Sequence, residues 1–429
     1  MAAALPPKVS AKEFAAALDA LRKAVGDQWV LTSEEDRGTY LDPYSIGDAH
    51  EHEPCGAVAP RTTEELQNVL KISNRYKIPL WPVSMGKNLA YGGAAPRMKG
   101  TMVLDLSRFK RILEINEELG YAVVEPGVNF FEFHKALEDR GGKLWMSGPA
   151  QSWGSVIGNA LEHGVGYTPY GVHADMICGM EVMLANGEII RTGLGAVENS
   201  KEWHLYRHGF GPAWEGLFTQ SNFAIVLKMG IWLMPEPEGM AGVRISVPRE
   251  EELEVLVDTL RPLRLNDTIN ATYTIVNGVR QIQRGRTRDQ VYQGKDHLPR
   301  ELIASELQKN GDGWWGVNFL LFDRVAGLDI RLKVIEEAFA KIPGSKMTVE
   351  RWKRGEPKQT WMRQDVGLGP LRTVDWYGGP GGHTDFGPVM AAAASLTIAE
   401  VRAMLDEPMP HERVQLPGVY VDRVVAVTP

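Results

Sequence analysis

Pro82-Val83-Ser84-Met85-Gly86-Lys87-Asn88-Leu89-Ala90-Tyr91-Gly92-Gly93 sets the architecture of this chain. An apolar strand, Ile78 to Val83, runs into a loop of glycines and small polar residues. Pro79 and Pro82 lack a donor for a ladder, so the strand belongs at a sheet edge or a strand end. In the loop nothing bulky blocks the backbone, and successive N–H groups can converge on an anion. The pattern is neither the Walker loop nor GxGxxG, so P-loop and Rossmann readings both fail. Taken alone, such a loop is as often a plain surface turn as an anion cradle.

Outward from it, the residue pattern alternates strand and helix. Residues 12 to 25 place Phe14, Leu18 and Leu21 on one helical face. Ala57-Val58-Ala59 is a short strand closed by Pro60. Thr62 and Glu65 have capping-box spacing ahead of Leu66, Val69, Leu70 and Tyr76. Met102 to Leu106, Arg111 to Ile115 and Ala122 to Val124 read as strands, and Asn129 to Glu132 opens a helix with Phe133 and Leu137 inward. Met180 to Leu184 and Glu188 to Arg191 flank Asn186-Gly187, the signal of a hairpin with a type I′ turn. Met229 to Met234 is an apolar strand stopped by Pro235 and Pro237. The stretch Pro235 to Gly239 marks a domain boundary. Beyond it, Arg244 to Val247 and Trp315 to Phe322 read as strands and Glu250 to Leu260 and Ile330 to Ala340 as helices, an α+β pattern.

The bounds agree with two domains. A chain of 429 residues can bury two cores. Its 44% hydrophobic and 24% charged residues are ordinary for a soluble globular protein. A formal net charge of -7, with no block of Lys or Arg, argues against nucleic acid or an anionic membrane surface as partner. No apolar run is long enough to span a bilayer. Cys55 and Cys178 read as reduced thiols rather than a disulfide framework. Residues 1 to 10 carry no apolar signal core, so a cytoplasmic location is expected.

Three more segments carry chemistry. Trp153-Gly154-Ser155-Val156-Ile157-Gly158-Asn159-Ala160 and then Gly164-Val165-Gly166-Tyr167-Thr168-Pro169-Tyr170-Gly171 suit a backbone lying flat against a large ring or a diphosphate. They suit a glycine-rich link between core strands equally well. Phe218-Thr219-Gln220-Ser221-Asn222 runs into a strand from Ile225 to Met229. Gly381-Gly382-His383-Thr384-Asp385-Phe386 sets a histidine after two glycines, and a lone histidine of that kind is more often a surface residue than a catalytic one.

In their order and wording, these segments resemble the vanillyl-alcohol oxidase / 4-cresol dehydrogenase flavoprotein family, in its phenol-oxidising branch. Lys87-Asn88 with Tyr91-Gly92-Gly93-Ala94-Ala95-Pro96-Arg97, Val124-Glu125-Pro126-Gly127-Val128, Gly164 to Gly171, Arg191-Thr192-Gly193 and Gly209-Phe210-Gly211-Pro212 carry the likeness. It is strong over residues 30 to 240 and weaker over 240 to 390. Several long motifs in one order are far more specific than any one of them.

The resemblance implies an α+β fold. An FAD-binding domain of two subdomains would span residues 1–236, with its pyrophosphate loop at 82–93, and an α+β cap domain would span 240–429. It implies that Ser84, Gly86, Lys87, Asn88, Leu89 and Gly92 wrap the pyrophosphate of FAD. Gly154, Ser155, Gly158, Asn159, Gly164, Tyr170 and Gly171 would line the flavin, and Gln220, Ile225 and Val226 would contact the cofactor. His383 aligns with the cap-domain histidine that bonds covalently to the flavin 8α-methyl. A neutral imidazole nitrogen is a competent nucleophile for that attachment. Tyr91 aligns with a tyrosine that binds the substrate phenolate oxygen, and Tyr167 with another tyrosine near the flavin. No metal is implied.

The implied reaction is oxidation of a 4-alkyl or 4-hydroxymethyl phenol, with hydride passing from the benzylic carbon to flavin N5 and leaving a p-quinone methide. Electrons then go to O₂ or to a cytochrome-type acceptor, and a homodimer is compatible with this family. The chain departs from the pattern in three places. Ala150 stands where the oxidases carry an aspartate near N5, and Asp175 and His173 are the candidates to substitute, although nothing in the sequence places them there. Ala224 stands where relatives have glycine. The C-terminal return segment, which supplies a further Tyr-Arg pair to the phenolate, is expected to be absent. A flavin-binding protein without turnover, or an oxidoreductase of another alcohol, are the alternatives.

Overall fold

After an N-terminal helix and a short strand, a strand, a crossover helix and a parallel strand follow, as the alternating pattern requires. The computed structural model describes residues 4–41, 48–87, 93–149, 153–209, 211–283, 288–294 and 298–356. They divide into two compact units. The first comprises Met1–Met146, Gln151–Gly164 and Val172–Pro235, and the second Ser147–Ala150, Val165–Gly171 and Glu236–Pro429.

The first unit holds two larger sheets. One contains β1 (Val30–Leu31), β2 (Gly56–Val58), β3 (Leu80–Val83) and β4 (Met102–Asp105) in the order β1-β2-β4-β3. β2 and β3 both run parallel to β4, because the helix Thr63–Tyr76 carries the chain back between β2 and β3. β3 lies at the edge, where Pro82 leaves no ladder bond unmade. The helices Ala11–Val25 and Thr63–Tyr76 bury Phe14, Leu21, Leu66 and Val69 against Met102 and Leu104. Thr62 caps the second helix by accepting from the Glu65 N–H at 3.1 Å. The Glu65 carboxylate accepts from the Arg61 N–H rather than closing the reciprocal half of the capping box.

The other sheet contains β5 (Ile112–Asn116), β6 (Tyr121–Val124), β8 (Ile177–Leu184), β9 (Ile189–Arg191) and β10 (Ala224–Trp232), all antiparallel, in the order β5-β6-β10-β8-β9. β7 (Leu144–Trp145) pairs separately with β11 (Met234–Pro235). β10 belongs to two cores at once. Ile225 and Leu227 join the core of the first sheet, while Val226, Met229 and Ile231 pack with Phe130, Phe133 and Ile157.

Three expectations are corrected here. The segment 225–229 and the part of 229–234 up to Trp232 are one strand, β10, with Lys228 accommodated in mid-ladder by Glu181 of β8, 3.1 Å away, while Met234 belongs to β11. Pro235 is not a stop but the last residue of β11, paired with Leu144. The 184–188 hairpin is not type I′. The Gly187 N–H closes on Leu184 O and the Leu184 N–H on Glu188 O, each at 2.8 Å. Gly187 has φ +88°, and Asn186 is not among the residues of positive φ. Ala185-Asn186 thus form an ordinary type I turn, and Gly187 takes the left-handed bulge position that follows it.

The second unit is built on β12 (Gly239–Val247), β13 (Tyr273–Asn277), β14 (Trp315–Asp323) and β15 (Lys346–Lys353), antiparallel in the order β13-β14-β12-β15. The helices Leu253–Leu265 and Val325–Phe339 cover one face, with Leu256, Leu260, Leu332 and Ile335 on Val243, Ile245, Val317 and Phe319. β12 begins five residues before the expected Arg244, since Gly239 permits close approach of Leu328, 2.9 Å from where its Cβ would stand.

Candidate active site

The loop after β3 is pinched shut at its neck. Gly86 has φ +63°, and a Cβ there would stand 2.7 Å from the Ala94 Cβ. The chain therefore leaves and returns at one point. Lys87 is exposed. Asn88, Leu89, Tyr91 and Gly92 lie outside the described residues, as do Ala150 and His383.

Ser84, at the head of this loop, lies against Gly158 so closely that a Cβ on Gly158 would collide with its Oγ. Gly158 belongs to the short helix Val156–Leu161, capped by Ser155. The Ser155 Oγ accepts the Gly158 N–H at 3.0 Å and donates to Pro126 O at 2.5 Å. The Val156 N–H bonds to Val128 O and the Phe130 N–H to Gly154 O. Residues 124–128 thus brace the start of this helix. Glu125 is buried, and its carboxylate accepts from the Arg111 backbone N–H at 2.8 Å and from Arg111 Nε and Nη2 at 2.9 and 2.7 Å. Gly127 closes on the opposite side, donating to Phe109 O at 2.7 Å. A Cβ there would meet Ser107 O and Phe109 O, both backbone atoms that cannot swing away. Gly127→Ala is therefore expected to destabilise the first unit by about 1–3 kcal/mol, read as a lower urea midpoint at unchanged m-value.

The other end of the helix is tied as well. Gln220, at φ +44°, donates its N–H to Leu161 O at 3.0 Å and its Nε2 to Glu162 O at 3.4 Å. Ile225 and Val226 turn their side chains into the two cores, which anchors this end of β10. Asn159 lies over Gly164, and its Oδ1 bonds to Nδ1 of buried His173. One ring nitrogen of His173 is thereby engaged, and Asp175 is exposed. In the second unit, Gly166 N–H donates to Gly171 O at 2.8 Å and Tyr170 N–H to Thr168 Oγ1 at 3.2 Å, with Tyr167 and Tyr170 half-buried.

The structure thus brings Ser84, Gly154, Ser155, Gly158, Asn159, Gly164 and Gln220 together around one six-residue helix. Glu125, Gly127 and His173 hold them there. Sequence reasoning gave Glu125 and Gly127 no role, although a carboxylate before Pro-Gly in an apolar strand is the kind of signal a buried brace leaves. The glycines at 86 and 158 pack directly against Ala94 and Ser84, where any side chain would collide, so the loop and the helix meet backbone to backbone and leave small, N–H-rich surface of the kind a dinucleotide needs. The residues present therefore fit FAD.

Neither cysteine offers a thiolate. Burial pushes the Cys55 thiol up to about 12 and raises Cys178 further, so both stay protonated. Among the described residues no group of His, Cys, Asp and Glu could hold a metal ion. No helix among them is long and apolar enough to cross a membrane.

Comparison with known proteins gives a consistent result. The family model described as "FAD binding domain" matches residues 54–193. The 4-cresol dehydrogenase [hydroxylating] flavoprotein subunit of Pseudomonas putida is 35% identical over 400 residues, covering 92% of this chain and 76% of that protein. The structure of p-cresol methylhydroxylase with substrate bound superposes with a TM-score of 0.78 at 36% identity, over 81% of this chain and 68% of the other. That of 4-ethylphenol oxidase from Gulosibacter chungangensis, in an isoeugenol complex, gives 0.81 at 35% identity, over 87% and 74%.

Proposed function

The chain belongs to the vanillyl-alcohol oxidase / 4-cresol dehydrogenase flavoprotein family and is an FAD-dependent oxidoreductase, and from that premise we propose that it oxidises para-substituted phenols. The observation that carries this reading is the identity of 35% with a 4-cresol dehydrogenase subunit, sustained over 92% of the chain. The substrate class is a 4-alkyl or 4-hydroxymethyl phenol. FAD, when bound, supplies the two-electron acceptor, its N5, for a hydride from the benzylic carbon.

The chain's own residues do the rest. Ser84 and Gly86 would offer backbone to the diphosphate, with Lys87, Asn88, Leu89 and Gly92 completing the loop. Residues 154–171 would line the flavin, with Tyr167 near it. Tyr91 donates a hydrogen bond to the substrate oxygen. As the phenol proton leaves, charge shifts through the ring to the para carbon, which weakens the benzylic C–H bond. Loss of that proton and the hydride turns the phenol into a p-quinone methide. Water adds to an alkyl-derived methide to give the alcohol, and a hydroxymethyl phenol collapses to the aldehyde. Residues 1–236 serve as the FAD-binding domain and 240–429 as the cap. The electrons leave to O₂ or to a cytochrome-type acceptor.

Purified protein is expected to be yellow and to convert 4-cresol, 4-ethylphenol or vanillyl alcohol, with peroxide formed or an added cytochrome reduced. Yellow protein that leaves all three phenols untouched with both acceptors would overturn the reading. Oxidation of a 2-hydroxy acid instead would assign it another alcohol substrate.

A further inference from the structure

The strip 165–171, which carries Tyr167 and Tyr170, is attached at both ends to a single knot. Gly164 precedes it and His173 follows it by two residues. The His173 N–H donates to Gly164 O at 3.3 Å, and the Gly164 N–H to Asn159 O at 2.8 Å. The Asn159 side-chain amide lies over Gly164, where any Cβ would collide with it. Its Oδ1, a carbonyl oxygen, accepts from Nδ1 of His173, which fixes the proton of that ring on Nδ1. His173 is 2% exposed, and its ring lies 5.9 Å from that of Phe130, itself in the core beneath the helix Val156–Leu161. Departure and return of the strip are therefore one point, anchored in a core. Within the strip the Gly166 N–H closes on Gly171 O, and Gly171 stands against Thr168 O and Thr272 Oγ1. A short loop closed at its root and across its middle has little freedom in its backbone.

We propose that Asn159 and His173 form a clasp that fixes the strip 165–171, making His173 a positioning residue for Tyr167 and Tyr170 in phenol oxidation. The role rests on the functional reading above, because it is there that the strip lies along the flavin. The clasp itself rests only on the geometry just given. His173 acts through Asn159 and the strip, not on substrate.

The test uses the full-length holoprotein. His173→Leu removes the donor, whereas His173→Asn puts an N–H where Nδ1 stood. Gly164→Ala attacks from the other side by pushing the Asn159 amide off the ring. Its backbone tolerates the change, because φ at 164 is not in the left-handed region. Hydrogen exchange of a peptide covering 160–176 is expected to quicken about tenfold in His173→Leu and Gly164→Ala. Peptides from β12 and from the helix Ala11–Val25 should be unchanged. kcat/KM for 4-cresol should fall by about tenfold in the same two variants, and the double variant should fall no further. His173→Asn should recover most of both.

Three results would overturn the proposal: equal impairment of the Leu and Asn variants, losses that multiply in the double variant, or faster exchange with unchanged turnover. Should His173→Leu fail to fold, Gly164→Ala and His173→Asn still decide the matter. If the wild-type protein oxidises no phenol, the functional reading falls, and the exchange data alone judge the clasp.

Discussion

Tyr91→Phe is expected to retain its FAD and to lose most of its turnover of a para-substituted phenol. The two halves of that result have different causes. On the proposed reading, FAD is held by the backbone of the loop that starts at Ser84 and Gly86. Removing one hydroxyl from the loop leaves that grip alone. The phenol substrate instead needs a donor at its oxygen at the moment that oxygen becomes an anion. A hydrogen bond to a charged oxygen is worth roughly 1.5–3 kcal/mol, so kcat/KM should fall about 10- to 150-fold. Visible absorbance per mole of protein and kcat/KM for 4-cresol, measured on the same preparation, separate the two effects. Unchanged turnover would reduce Tyr91 to a structural residue. Loss of both flavin and turnover would make it part of the cofactor loop instead.

Much of the fold was legible because its signals are local. The positions of Pro79 and Pro82 placed β3 at an edge, and β3 is an edge strand. Asn129 three residues before Glu132 opened a helix, and both halves of that capping box are made. The failures occur where a distant partner changes the meaning of a local residue. Lys228 interrupts the apolar run between 225 and 234, and only Glu181 on the neighbouring strand, which gives it a counter-charge, shows that the ladder runs straight through it. Lys346–Lys353 alternates charged and apolar residues so weakly that β15 was not foreseen, and it is an edge strand whose Met347 and Val349 are only half-buried.

The site divides along the same line. Glycines that must admit a close neighbour announce themselves, and Gly86, Gly158 and Gly164 all have one. What they admit cannot be read from the residue itself. Nothing in the sequence ties Gly158 to Ser84, more than seventy residues earlier, or shows that buried Glu125 neutralises itself on Arg111 while Pro126 receives the hydroxyl of Ser155. Those contacts are long-range and one-to-one, so they leave no periodicity.

His383→Ala should release all of the flavin on acid precipitation, where the unmodified protein keeps it with the denatured chain. His383 lies outside the described residues, so the expectation comes from its alignment in the Gly381-Gly382-His383 context and from the chemistry of attachment. The 8α position is attacked by a nitrogen lone pair, which only the unprotonated imidazole has. Protonated imidazole cannot attack, so covalent attachment to apoprotein mixed with FAD should run faster at about pH 8 than at about pH 5.5. Asp385, two residues on, would oppose this by holding the imidazole protonated if it paired with it. Asp385→Asn should therefore leave attachment as fast or faster at the lower pH, never slower. Because the proposed diphosphate loop, from Ser84 and Gly86 onward, is far from His383 in sequence, His383→Ala should still bind FAD reversibly and stay yellow until denatured. Flavin fluorescence in the acid supernatant and in the pellet measures both forms. Flavin found wholly in the supernatant of the unmodified protein would show that His383 makes no bond, whereas flavin remaining in the pellet of His383→Ala would move the attachment to another side chain.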